Sequence, residues 1–182
     1  SYKNFQILAP MYKTLNGIDN INNKLQNTFN KKSSSKKEIM IYDDLYREKD
    51  KVIQLTNMPD ENVYNGDIGI ISKIENSKKK EIHIDFDGNV VKYTPSNFSN
   101  FKLAYSISIH KSQGSEFDVV IIPIVKGYNK MLYQKLIYTA VTRTKSKLYL
   151  IGDINALKYA SSNDRDDNRR TTIKDYLING IK

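Results

Sequence analysis

The 182-residue chain has no cysteine, no tryptophan, only two histidines and only four prolines. Without thiols there is no disulfide framework and no thiolate-held metal. His83 and His110 alone offer too few ligands for a histidine site, so no metal site is expected within the chain. No apolar run approaches the roughly 20 residues that span a bilayer, and no basic-then-apolar leader opens the sequence. The expectation is a cytoplasmic protein with no membrane partner. The chain also lacks a G-x-x-x-x-G-K-[ST] phosphate loop and an Asp-Glu pair closing an apolar strand, the two devices that hold a nucleotide's phosphates and its Mg²⁺.

Arginine is scarce too. Of 29 basic residues only Arg47, Arg143, Arg165, Arg169 and Arg170 are arginine. Where lysine is so heavily preferred, an arginine marks a place that needs a planar fork of donors rather than a point charge. The remaining composition, 27% charged and 39% hydrophobic, suits one globular domain or one domain with a small insertion. The net charge of +9 favours a phosphate backbone as partner. A chain rich in Lys, Asn and Ile is equally what an AT-rich genome encodes.

Taken in order, Phe5–Ala9 reads as a buried strand ended by Pro10. A helix is expected from Gly17 to Asn30, with Ile18, Ile21, Leu25 and Phe29 lining its inner face and Asn16 as N-cap. Residues 31–37, Lys-Lys-Ser-Ser-Ser-Lys-Lys, form a self-repelling loop that is either solvated or touches nucleic acid. From Ile39 to Phe101 the apolar period changes to two. Val52, Gln54 and Thr56 alternate with Ile53, Leu55 and Asn57, and Asp87-Gly88 marks a hairpin turn. Four or five short strands in about 55 residues suggest a small SH3-like barrel. Lys78–Lys80 could meet phosphates or guard a sheet edge.

After Leu103 the pattern is α/β. A strand is expected to run from Tyr105 into His110 and an apolar strand from Val119 to Val125. A helix is expected over Met131–Thr144, then a strand over Lys147–Ile151. Asp153 is placed to cap a helix containing Ala156–Ala160. Asp164–Arg170 reads as a charged linker, and Ile173, Tyr176 and Leu177 as part of a closing helix.

Two blocks carry the most information. One is Tyr105-Ser-Ile-Ser-Ile-His110-Lys111-Ser-Gln113-Gly114-Ser-Glu116-Phe117. The other is Leu136-Ile-Tyr-Thr139-Ala-Val-Thr-Arg143-Thr-Lys145, followed by Leu148-Tyr-Leu-Ile-Gly-Asp153. They closely resemble motifs V and VI of superfamily 1 helicases in their RecD-like form, with Ser108 standing for a usual Thr and Thr144 for a usual Ala. Gln6–Met11 with Gly17–Gln26 is similar to the region around motif IV, where Lys13 stands for a common arginine. Asp50–Gln54 and Tyr64–Gly69 resemble the SH3-like barrel that these enzymes insert in their second motor domain.

The resemblance implies an α/β fold: a RecA-like parallel-sheet domain at 1–38 and 102–182, interrupted by an inserted SH3-like β-barrel at 39–101. It implies the C-terminal part of an ATP-dependent 5′→3′ DNA helicase. Arg143 would be its arginine finger, acting on a γ-phosphate from a neighbouring domain. Gly114, Glu116, Gln113 and Lys13 would face the nucleotide, and Ser108, His110 and Lys111 the DNA. Implied partners are single-stranded DNA and the N-terminal motor domain of the same helicase. That domain would supply the phosphate loop and most of the site for ATP and Mg²⁺. The abrupt start before a strand suggests a fragment, inactive by itself and with no cofactor bound, from a protein whose one small-molecule substrate is ATP. A non-catalytic nucleic-acid-binding module and the C-terminal part of a relaxase–helicase are the alternatives.

Overall fold

The computed structural model describes residues 5–128 and 131–163. Strand β1 (Phe5–Ala9) leads through a tight loop into α1 (Ile18–Phe29). Gly17 sits at the N-cap because a Cβ there would lie 2.1 Å from the Tyr12 carbonyl oxygen. Asn16 is not the cap: the helix starts at Ile18, Gly17 takes the N-cap with no side-chain cap bond, and Asn16 offers its carbonyl to the Tyr128 hydroxyl. The inner face of α1 also differs from the expected one. Ile18 is buried as expected, but the stripe continues through Asn22 and Gln26 to Asn30, while Phe29 is 46% exposed with its ring against Phe5.

The physical reason is what α1 packs against. Asn22 Nδ2 donates to the carbonyls of Leu103 (3.2 Å) and Ser106 (3.1 Å), and its Oδ1 accepts from Ser106 N (2.7 Å). Gln26 Nε2 donates to Leu45 O (2.7 Å) and to Asp50 Oδ2 (2.6 Å). Asn30 Nδ2 donates to Glu48 O (3.0 Å) and Asp50 Oδ1 (2.6 Å). The helix meets loops and strand ends whose backbone groups need partners, so amides rather than hydrocarbons fit there.

The chain then builds an antiparallel unit. The hairpin β2 (Glu38–Ile41) and β3 (Asp44–Arg47) leads into β4 (Lys51–Gln54), β5 (Ile68–Asn76), β6 (Lys80–Phe86), β7 (Asn89–Tyr93) and β8 (Phe101–Leu103). The last five form one sheet, ordered β7-β6-β5-β4-β8. Asp87 and Gly88 both have positive φ, 51° and 96°, as the two-residue turn between β6 and β7 requires. Ile71, Ile74, Ile82 and Ile84 are fully buried, and Phe101 packs edge-on to Tyr46 and Tyr93. The run at 31–37 is tied down at its end, where Lys37 Nζ reaches Glu75 at 3.0 Å.

β4 departs from the expected half-exposed alternation, because all four of its residues are buried. Val52 enters the barrel core and Ile53 the core of the other sheet, so the strand is shared between two apolar layers.

The parallel sheet is completed by β9 (Ser106–Ser108), β10 (Phe117–Ile124) and β11 (Thr144–Gly152), in the order β11-β10-β1-β9. Ile7 lies opposite both Ser106 and Ile121. Helix α2 is shorter than expected, Gln134–Val141, because Thr144 already pairs with Phe117 as the start of β11. α3 (Ile154–Ser162) is capped as expected, with Asp153 accepting from Asn155 N at 2.7 Å. The closing helix and charged linker expected after Asp164 lie outside the described residues. Among the described residues no helix is long and apolar enough to cross a membrane.

Candidate functional site

The sequence-marked residues fall at the two opposite edges of the parallel sheet. The chain returning from β9 to β10 turns at Gln113-Gly114, with Gly114 at φ 86°, and reaches the edge where strands begin at Phe117. Arg143 follows the C-terminus of α2 and precedes β11. Phe117 N donates to Arg143 O at 2.8 Å, which brings the two blocks together. The half-buried guanidinium donates to Thr139 O (3.3 Å), Ser115 O (3.3 Å) and Thr142 Oγ1 (3.2 Å).

These acceptors are neutral. Among the described residues no carboxylate lies within salt-bridge distance of Arg143. Arg47, the other described arginine, behaves oppositely. It is buried, pairs with Glu38, and braces α1 through Asn27 Oδ1 (2.9 Å) and Asn30 O (3.2 Å). Its guanidinium holds the Glu38 carboxyl below the usual carboxylate range. Beside Arg143, Glu116 pairs among the described residues with Lys145 at 3.7 Å, both side chains more than half exposed. Such a pair holds little energy and is easily exchanged for a ligand.

At the edge where strands end lie Ser108, His110 and Lys111. Ser108 Oγ accepts from Lys111 N at 3.2 Å, starting a single helical turn over His110–Ser112. Ser108 is level with Ala9, about six residues along the strands from Phe117, so the two edges stand roughly 20 Å apart. Lys13, in the exposed loop after β1, belongs by position to the Ser108 edge and not to the Arg143 edge. Gln113 lies on the crossing between the two.

A cleft of about 240 Å³ opens beside Ser108 and Lys111, between the parallel sheet and the barrel. Sequence reasoning passed over two of its residues, Tyr12 and Lys102. Tyr12 immediately precedes Lys13, and Lys102 sits among buried neighbours on β8 as its one exposed side chain. In the sequence the one sign of Lys102 was a lysine set between the apolar Phe101 and Leu103.

Residues 21–86 match the profile of the ATP-dependent RecD-like DNA helicase SH3 domain, and residues 103–151 that of the UvrD-like helicase C-terminal domain. The ATP-dependent RecD2 DNA helicase of Deinococcus radiodurans is 32% identical over 161 residues, 88% of this chain and 22% of that protein. The RecBCD enzyme subunit RecD of Buchnera aphidicola (subsp. Acyrthosiphon pisum) is 30% identical over 154 residues, 84% of this chain and 25% of that protein. The chain therefore spans about a quarter of the length of these relatives.

Among solved structures, a Bacteroides Pif1 helicase in complex with ADP-AlF3 and ssDNA superposes with a TM-score of 0.55 at 18% identity, covering 99% of this chain and 47% of that one. Pif1 at forked dsDNA gives 0.55 at 20% identity, over 86% of this chain and 43% of that one. At such identities the likeness speaks to the fold, which is a RecA-like helicase domain joined to an SH3-like one.

Proposed function

We propose that this chain, a relative of the RecD-like DNA helicases with their SH3 domain and a UvrD-like helicase C-terminal domain, is the second motor half of an ATP-driven 5′→3′ DNA helicase working in the cytoplasm. The observation that carries the reading is Arg143. It is held in place by neutral acceptors, beside the Gly114–Glu116 turn, with its charge not spent on a carboxylate. A cation so placed can stabilise the charge that develops as a γ-phosphoryl group leaves.

In this reading Gly114, Glu116 and Gln113 border the nucleotide, and Ser108, His110 and Lys111 border single-stranded DNA. Lys13 joins the second group by position. ATP and Mg²⁺ would be held mainly by a first motor domain that carries the phosphate loop, and that domain is the partner facing the Arg143 edge. In this reading the barrel, expected at 39–101, extends over the strands from Glu38 to Leu103, and the RecA-like part lies on either side of it. By itself this chain would show no DNA-stimulated ATP turnover.

The test is Arg143→Ala in the intact helicase, read as steady-state ATPase at saturating DNA. The expected loss is roughly 10³- to 10⁵-fold, with DNA binding retained. Arg143→Lys should recover little, because an ammonium does not reproduce the fork. Retention of more than about a tenth of the activity would make Arg143 a structural residue.

A further inference from the structure

We propose that the cleft between the parallel sheet and the barrel is a pocket for a single unstacked nucleobase, which makes the barrel part of the single-stranded DNA track. This rests on the DNA half of the function proposed above. It goes beyond that half by naming the ligand group and by assigning residues on both sheets.

The cleft has two features that point to a base. Its floor is apolar: Ile18 from α1, Ile53 and Leu55 from β4 and its continuation, and Ile107 from β9. Its volume of about 240 Å³ is the scale of one base with part of its sugar, too small for two stacked bases. A flat ligand with apolar faces fits such a floor, and a nucleobase has that shape.

The rim supplies the rest. Tyr12 lines the cleft and is 42% exposed, an aromatic face available for stacking. Lys102, exposed on β8, and Lys111, half-buried after β9, border the same opening. One carboxylate, Asp19, also lines it and opposes them in charge. The two ammonium groups come from different sheets, so a phosphate backbone passing over the cleft would bridge the motor layer and the barrel. Ser108 and Lys111 place the cleft directly on the edge already assigned to DNA.

The experiment uses this chain and an oligothymidylate carrying one 5-iododeoxyuridine, irradiated at low salt and mapped by mass spectrometry. Anisotropy titrations across salt run alongside. The expected result is a cross-link at Tyr12. Tyr12→Ala should weaken binding roughly tenfold, the range of one base–aromatic stack, whereas Tyr12→Phe stays within about twofold. Lys102→Ala should lower the log–log salt slope by about 0.7, one phosphate contact. Both side chains are exposed, so neither change threatens the fold. If the chain binds the oligonucleotide normally but cross-links elsewhere, and these variants bind like the parent, the pocket is overturned while the DNA reading survives. If no binding or cross-link is seen even at low salt, the pocket falls together with the DNA half of the proposed function.

Discussion

The barrel and the parallel sheet treat apolar residues in opposite ways. In β5 and β6 the isoleucines at 71, 74, 82 and 84 are fully buried, and polar residues alternate with them toward solvent. In β11 the consecutive residues Tyr149, Leu150 and Ile151 are 49%, 41% and 58% exposed. Since neighbouring residues point to opposite faces, β11 is exposed on both sides, and among the described residues it is the last strand of its sheet. The barrel satisfies its own core. The motor sheet presents surface suited to contact. What binds the two is polar in the amide stripe of α1 and the buried Asp50, and apolar in the shared strand β4.

That comparison breaks most directly at Asp50. Its carboxylate accepts from Asn30, Gln26, Arg47 N and the Tyr105 hydroxyl, donors drawn from α1, the end of β3 and the approach to β9. Burial pushes the acid upward in pKa, and these donors pull it back. Asp50→Ala strands several buried donors at once. It should cost about 3–5 kcal/mol, measured by denaturant unfolding. One shifted transition is expected. Two resolved transitions, with only one of them shifted, would show that barrel and sheet are independent.

A smaller effect comes from Lys51 on the shared strand, whose Nζ donates to Phe5 O at 2.9 Å. Burial pushes this amine down from 10.5 to about 8. Between those values the unfolded chain binds more protons than the folded one, so stability should rise with pH. The gain from about pH 7.5 to 9 should be roughly 1 kcal/mol, reached before tyrosine ionisation near pH 10 sets in. Lys51→Met should flatten that slope. A slope unchanged in the variant would mean that the amine is not the group responsible.

The subtlest outcome is in hydrogen exchange. Amides of Thr144–Gly152 should exchange faster than those of Ile68–Phe86, because an open edge unfolds locally at lower cost than a closed core. Equal protection in both would erase the distinction between the two sheets.

Legibility followed the same division. The polar blocks around Glu116 and Arg143 stood out because each directly precedes an apolar strand; the structure sets both at the amino ends of those strands, opposite the carboxyl ends where open α/β sheets usually bind ligands. The hairpin at Asp87-Gly88 was legible because two successive positive φ angles leave few residue choices. The inner face of α1 was not. Periodicity assumes that hydrocarbon faces the core, yet Asn22, Gln26 and Asn30 face loops and strand ends with unpaired backbone groups. β4 was misread for a related reason: alternation tells the two faces apart but not whether water reaches either.

By itself, the sequence determined the elements, the glycine turns and the cluster of motor-like residues, since local backbone preference and apolar spacing act over a few positions. Only the tertiary structure decided that Ser115 would hold Arg143, that four donors would converge on Asp50, and that Tyr12, Ile53, Lys102 and Ser106 would border one cleft. Those residues lie tens of positions apart. Their meeting depends on the register of strands and the docking of one sheet on the other, which no short stretch of sequence contains.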